Sequence, residues 1–309
     1  MIKIVITEFM DAPAVARLQT DFDVVYEPGL VDDRAALMQA LAGARGLIVR
    51  NRTSVDEAVL AAGAELRVVG RLGVGLDNID LAACAARDIR VIPATGANAQ
   101  AVAEYVIATA MLLLRGAYRA TADVAAGQWP RAALSSGQEL GGKILGVVGF
   151  GSIGQRVARM AIGLGMTVVA HDPILDKDSS LWRESGVRPL ALDDLVAQAD
   201  VASLHVPLVA TTRHLFDEPR LARMKRGAIL INTARGGIVD EAALVAALQN
   251  GHLAGAALDV FEAEPVPGKN IFSGVPGLLL TPHIAGVTRE SNQRVGDMIA
   301  HEVAGYLSA

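Results

Sequence analysis

The chain has 309 residues, a formal net charge of −5, 52% apolar residues and only 4% aromatic ones. That length suits one large or two ordinary domains, and the aliphatic bulk suits parallel strands covered on both faces by Ala-rich helices. Mild acidity excludes a clustered basic nucleic-acid footprint, and the single cysteine, Cys84, excludes an internal disulfide and a cysteine zinc site.

The N-terminal "MIKIVITEFM" alternates like a first strand and lacks the regions of a signal peptide. Strands are expected at "IKIVIT", "DVVYE", "GLIVR", "LRVVGR" and "IRVIP". Helices are expected between them at "APAVARLQ", "DRAALMQALAG", "SVDEAVLAAG" and "LAACAAR". Such alternation implies βαβ units on a parallel sheet. Cys84 falls on a helix face as a small buried apolar residue. Pro93 and Gly96 break the pattern, and a single long helix is expected from about Asn98 to Ala126. Its most apolar stretch, "YVIATAMLLL", falls far short of the roughly 20 residues a membrane helix needs. A buried linking helix in a soluble, cytoplasmic protein is therefore expected. A second βαβ series starts at Lys143, its strands including "KILGVVGFG", "MTVVAHD", "DVASLHV", "AILINTA", "AGAALDV" and "GLLLTPHI". A last helix is expected over Thr288 to Leu307.

The second series opens with G-x-G-x-x-G at Gly149, Gly151 and Gly154, between an apolar strand and a helical pattern. Gly149 permits the tight turn, Gly151 lets backbone approach a pyrophosphate, and Gly154 lets helix and strand pack closely. Ser152 and Ile153 open the helix whose N-terminal N–H groups would face the phosphates. The next strand ends at Asp172, 18 residues past Gly154. There a carboxylate can accept from both ribose hydroxyls and would repel a 2′-phosphate, so NAD is expected over NADP.

Downstream, polar residues stand at strand ends: Arg235 in "LINTARGGIVDE", Asp259, Glu262 and Glu264 in "LDVFEAEP", and His283 in "LLLTPHIAG". In a doubly wound sheet those ends face the ligand crevice. A histidine can exchange the hydroxyl proton of a carbinol, a carboxylate can fix its tautomer, and an arginine can clamp a substrate carboxylate bidentately. Together they form a 2-hydroxyacid dehydrogenase site. His205, in "SLHVPL", could line the cofactor crevice. His171, His214, His252 and His301 read as packing or exposed residues, and with no metal-ligand spacing no metal is expected.

The stretches "GRLGVGLDNID", "VVGFGSIGQRVA", "LHVPL", "INTARGGIVDEAAL", "ALDVFEAEP" and "LTPHIAG" occur in fixed order. On them the chain resembles the D-isomer-specific 2-hydroxyacid dehydrogenase family over nearly its full length. The resemblance implies two doubly wound α/β domains, a flavodoxin-like substrate domain and a Rossmann NAD-binding domain, with a cleft between them. The expected boundaries are 1–96 with 288–309 for the first and 97–287 for the second. It implies a homodimer formed through the cofactor domain. By position, Arg235, Glu264 and His283 match the catalytic triad, and Asp172 matches the ribose ligand. Val74 and Gly75 match the loop whose N–H groups hold the substrate carboxylate. Asp259 matches a residue near the nicotinamide amide. His205 and Pro207 match the loop over the adenine side, and Thr233 and Ala234 fall among the expected cofactor contacts.

Within the family the overall likeness is greatest to 3-phosphoglycerate dehydrogenases. "LIVRNRTSVD" makes Arg50 and Arg52 candidates for an anionic substrate tail. Those enzymes usually read Ser-Thr where this chain has Val287-Thr288, and "HIAGVTRESN" also resembles sulfolactate dehydrogenases. The expectation is reversible NAD-dependent oxidation of a D-2-hydroxyacid, first 3-phosphoglycerate, with sulfolactate or hydroxypyruvate/glyoxylate as alternatives. A third alternative is an NAD-sensing binding protein of the corepressor type.

Overall fold

The computed structural model describes all 309 residues. The chain divides into two compact units, Met1–Asn98 with Val287–Ala309, and Ala99–Gly286. In the first unit the elements run β1 (Lys3–Ile6), α1 (Ala12–Asp21), β2 (Asp23–Tyr26), α2 (Arg34–Ala40), β3 (Ala44–Val49), α3 (Glu57–Ala62), β4 (Val68–Arg71), α4 (Leu81–Ala86) and β5 (Arg90–Pro93). All five strands are parallel, in the order β2-β1-β3-β4-β5. That is the flavodoxin-like order, whose switch point lies between β1 and β3.

The second unit runs α5 (Ala99–Arg115), α6 (Thr121–Ala125), β6 (Ile144–Val148), α7 (Ser152–Gly163), β7 (Thr167–His171), α8 (Ser180–Ser185), β8 (Arg188–Pro189), α9 (Leu192–Gln198), β9 (Val201–Leu204), α10 (Glu218–Arg223), β10 (Ile229–Asn232), α11 (Glu241–Gln249), β11 (Gly255–Leu258) and β12 (Leu278–Leu280). Its seven strands are also parallel, in the order β12-β11-β10-β9-β6-β7-β8, with the switch point between β6 and β9. The last helix, α12 (Arg289–Ser308), packs on α1 and β4 of the first unit.

Central strands bury both faces, as Leu47, Ile48 and Val49 of β3 and Leu230 and Ile231 of β10 show at 0% exposure. This is why they read as continuous aliphatic runs. Each sheet has an apolar cluster on either side. Helix starts are set by side-chain caps: Asp33, Asp56, Asp80, Asp217 and Asp240 each accept a backbone N–H three residues on. Each such cap contributes about 1 kcal/mol.

Two expectations are corrected. The long helix is not one piece: α5 stops at Arg115, Gly116 turns left-handed at φ 65°, and the next helical piece is bent by 68°. No single helix is long and apolar enough to cross a membrane. The last strand is also shorter than "GLLLTPHI", because Pro282 has no N–H and the N–H groups of His283, Ile284 and Ala285 all turn to Asp259.

Candidate active site

In the second unit the expected site residues follow consecutive strand ends. The glycine loop follows β6 at the switch point. Gly149 has φ 94°, and a Cβ there would lie 2.5 Å from the His205 carbonyl oxygen. A Cβ at Gly154 would lie 2.2 Å from the Gly149 oxygen, so α7 can approach the loop this closely only without one. Gly151 instead faces open space and caps α7 with no side-chain hydrogen bond, which leaves the helix N–H groups for an anion. At the end of β10, Thr233 Oγ1 is buried without a partner. An open N-terminal cradle after β6 and an orphaned hydroxyl after β10, two strands away on the same edge of the sheet, fit a dinucleotide.

Asp172 accepts from Phe150 N at 2.8 Å, Ile174 N at 2.9 Å and Leu175 N at 3.3 Å. The carboxylate therefore ties the glycine loop to the end of β7 as well as standing where a ribose acid is expected. After β9, His205 Nε2 lies 2.9 Å from Ser203 Oγ. Burial pushes the pKa of this ring down to about 3, so it is neutral at neutral pH. Pro207, two residues on, is exposed.

After β10, buried Asn232 shapes the next turn: its Oδ1 accepts from Ala234 N at 3.0 Å and its Nδ2 donates to Arg235 O at 2.9 Å. Arg235 Nη1 donates to Ala234 O at 2.6 Å. A Cβ on Gly236 would lie 1.8 Å from Phe261 O, so the Arg235 turn lies directly on the backbone of the segment that carries Glu264. Glu264 Oε1 accepts from Phe261 N at 3.0 Å, and its Oε2 lies 2.8 Å from His283 Nδ1. A carboxylate can only accept, so Nδ1 carries the hydrogen and Nε2 keeps its lone pair for a substrate proton. Both side chains are partly exposed, 43% for His283 and 35% for Glu264. At such exposure the pair adds at most about 1 kcal/mol to stability, so its value lies in orienting the ring.

Asp259 is 1% exposed, and its oxygens accept from Thr281 Oγ1 at 2.6 Å, Ile284 N at 2.8 Å and Ala285 N at 2.8 Å. The structure thus gives this acid the task of holding the turn on which His283 sits at φ 54°. His214, read as exposed in the sequence, is exposed and pairs with Glu262 at 3.1 Å, and Glu262 N donates to Glu241 at 2.7 Å. Burial, then the hydrogen bond from Glu262 N and the charges of Glu262 and Asp240 set the Glu241 pKa, with the raising influences prevailing.

In the first unit the residues gather after β1, β3 and β4. Glu8, 5% exposed, accepts the N–H groups of Arg50, Asn51, Arg52 and Thr53. Burial alone would raise its pKa, but these donors and the Thr53 hydroxyl outweigh it and hold the carboxyl below its ordinary range. The Arg50 guanidinium donates to Asn292 Oδ1 at 3.0 Å and stands over the Phe9 ring. Burial lowers the Arg50 pKa, and the Glu8 charge opposes that shift. Arg52 is different: it is exposed and paired with Asp32. Asn78 Nδ2 donates to Thr53 O at 2.6 Å and to Arg50 O at 3.3 Å, tying the Arg50 segment to the loop of Val74 and Gly75. No group of three or more His, Cys, Asp or Glu side chains is arranged to hold a metal ion.

Known proteins share the sequence pattern and the fold. Residues 107–285 match the family described as D-isomer specific 2-hydroxyacid dehydrogenase, NAD binding domain. The chain is 56% identical over 295 residues to the (S)-sulfolactate dehydrogenase of Chromohalobacter salexigens, covering 96% of this chain and 95% of that protein. It is 39% identical over 300 residues to the D-3-phosphoglycerate dehydrogenase of Mycobacterium tuberculosis, covering 97% of this chain but only 56% of that longer protein. Among solved structures, the TT0316 protein of Thermus thermophilus superposes with TM-score 0.89 at 36% identity, covering 99% of this chain and 97% of the other. The D-lactate dehydrogenase of Aquifex aeolicus, complexed with NAD and lactic acid, gives 0.87 at 29%, covering 99% and 95%. A family match over more than half the chain, and relatives of this identity along nearly all of it, make this chain a member of the D-isomer-specific 2-hydroxyacid dehydrogenases, NAD-dependent oxidoreductases of small 2-hydroxyacids.

Proposed function

We propose that the chain interconverts (S)-3-sulfolactate and its 2-keto acid with NAD. The carrying observation is the 56% identity to a sulfolactate dehydrogenase along almost the full length of both chains. The (S) label is consistent with a D-specific family: sulfur raises the tail above the carboxylate in the priority rules, so the same spatial arrangement changes its letter. Charge supports the choice. A sulfonate carries one negative charge, whereas a phosphate monoester carries about −1.5 to −2 at pH 7. One half-buried arginine, Arg50, partnered by the neutral Asn292, suits a single charge, and Arg52 is taken by Asp32. D-3-phosphoglycerate is the second reading, favoured by the 39% identity to phosphoglycerate dehydrogenases.

In this reading the first unit is the substrate-binding domain. Arg50 holds the tail, and the N–H groups of Val74 and Gly75 hold the carboxylate. Arg235 clamps the carboxylate bidentately and polarises the C2–O bond. His283 Nε2 takes the hydroxyl proton during oxidation and returns it during reduction, while Glu264 holds Nδ1–H. NAD, when bound, supplies the nicotinamide ring that accepts the C2 hydride. Gly149, Gly151, Ser152, Ile153 and Gly154 would hold its pyrophosphate, Asp172 the ribose, His205 and Pro207 the adenine side, and Thr233 and Ala234 the neighbouring strand end.

A second copy of the chain is the expected partner. Met111, Tyr118, Val124 and, just beyond the broken helix of the second unit, Trp129 expose 41%, 68%, 47% and 78% of their surfaces, which supports a homodimer formed there. The deciding assay measures kcat/KM with NAD for (S)-3-sulfolactate, D-3-phosphoglycerate, D-glycerate and D-lactate. Sulfolactate should give the highest value. Preference for phosphoglycerate would replace the tail assignment, and turnover of none would favour an NAD-sensing scaffold.

A further inference from the structure

Tyr105 lies on α5, far in sequence from Arg235, Glu264 and His283, and its hydroxyl reaches the base of the His283 turn. Tyr105 Oη lies 2.7 Å from Thr281 Oγ1, and Thr281 Oγ1 lies 2.6 Å from Asp259 Oδ1. The direction of this chain follows from chemistry. An ionised carboxylate has no proton to give, so the Thr281 hydroxyl donates to Asp259. That hydroxyl has one proton, so its oxygen must accept from Tyr105.

What Asp259 holds is the His283 turn itself. Its backbone carbonyl accepts from His283 N at 2.8 Å, and its carboxylate accepts from Ile284 N and Ala285 N, each at 2.8 Å. His283 sits at φ 54°, which few non-glycine residues adopt, so the contacts that hold it there matter. Asp259 can enforce it only while its own carboxylate is fixed, and the Thr281 hydroxyl is its one side-chain partner. Tyr105 in turn donates to the Thr281 oxygen and adds a second restraint on the hydroxyl that holds Asp259.

We propose that Thr281 and Tyr105 are positioning residues for proton transfer, acting through Asp259 to hold His283 in its left-handed turn. The proposal rests on His283 being the proton-transfer residue.

Four variants test it: Thr281→Val, Thr281→Ser, Tyr105→Phe and, as reference, His283→Gln. Each is measured for kcat, for KM of the keto acid, for NADH binding by fluorescence and for melting temperature. Thr281→Val removes the hydroxyl at constant shape and should lower kcat by about tenfold, the equivalent of about 1.4 kcal/mol in the barrier. NADH binding should stay near the wild-type value. Thr281→Ser keeps the hydroxyl and should restore most of the kcat. Tyr105→Phe keeps the ring and removes the hydroxyl, leaving the Thr281–Asp259 bond in place, so its kcat should fall between wild type and Thr281→Val. Wild-type kcat in both Thr281→Val and Tyr105→Phe would overturn the proposal. So would Thr281→Ser being as slow as Thr281→Val, which would make the defect one of packing. If Thr281→Val fails to fold, Tyr105→Phe decides alone. Unchanged turnover in His283→Gln would overturn the underlying assignment of His283. A slow His283→Gln beside fast Thr281→Val and Tyr105→Phe variants would overturn only the positioning role.

Discussion

Glu264 Oε2 lies 2.8 Å from His283 Nδ1, which leaves Nε2 as the ring nitrogen open to a substrate hydroxyl. His283→Gln should cost about 10²–10⁴ in kcat, the usual contribution of a general acid–base, with NADH binding retained. Glu264→Ala removes the acceptor that holds Nδ1–H and should lower kcat, whereas Glu264→Gln keeps an acceptor oxygen beside the ring and should lower it less. Equal kcat in the two variants would mean that Glu264 does not orient His283.

The Arg235 turn and the Glu264 segment are held together at Gly236, where a Cβ would fall 1.8 Å from Phe261 O. Gly236→Ala must push the two segments apart, so it should lower kcat/KM even though neither functional side chain changes. A stability loss of about 1–3 kcal/mol, as for other overpacked sites, should accompany it in urea unfolding. Wild-type kinetics in Gly236→Ala would show that the relative placement of the two segments is unimportant.

Asp172 combines a cofactor-facing position with hydrogen bonds from Phe150, Ile174 and Leu175. Asp172→Asn retains an acceptor oxygen for the loop and removes the charge that repels a 2′-phosphate. The ratio of kcat/KM for NAD over NADP should fall. An unchanged ratio would leave Asp172 with only its structural role.

The glycine loop and the strand-end residues Arg235, Glu264 and His283 were legible because their signals are local: glycine spacing, an apolar run, a polar residue where the run stops. The contacts that support such residues were not. Arg50 meets Asn292 across 242 positions and Tyr105 meets Thr281 across 176. Nothing in either segment names the other, and only the return of α12 to the first sheet or the packing of α5 on the second unit brings them together. Glu8 in "ITEFM" carried a usable hint, a carboxylate directly after an apolar strand at what proves to be the switch point. Gly116 gives no clear sign of a break, because an isolated glycine inside a helical pattern costs only about 1 kcal/mol and is often tolerated. Here it adopts φ 65° and ends the helix.

His205 predicts an acid sensitivity that is independent of catalysis. Burial holds its pKa near 3, against 6.5 for a free ring. The unfolded chain takes up this proton as pH falls through 6.5, while the folded chain resists until about 3. The unfolded state therefore binds more protons across that window, and stability falls with falling pH throughout it. Urea unfolding from pH 7 to pH 4 should show a shallower decline in His205→Gln than in wild type. Parallel declines would mean that other groups dominate the acid response.

Asp88 offers a stabilising change remote from the active site. It follows the C-cap of α4 at φ 54°, with Asp88 N donating to Ala85 O at 3.2 Å and Ile89 N to Cys84 O at 2.9 Å. Those two bonds form a Schellman motif, and the apolar contact that accompanies it is present, since Cys84 and Ile89 share one buried cluster. Glycine is the favoured residue at this left-handed position because it has no Cβ to clash, although it gives the unfolded chain more freedom. Aspartate already tolerates the conformation better than most residues, so the net gain from Asp88→Gly should be modest, about 0.5 kcal/mol. Asp88→Val, β-branched and ill suited to positive φ, should destabilise by about 1–2 kcal/mol. Both are read from urea midpoints at an unchanged slope. A loss of stability in Asp88→Gly would mean that the carboxylate itself supports the end of α4, a role for which its exposed position and backbone-only hydrogen bonds provide no partner.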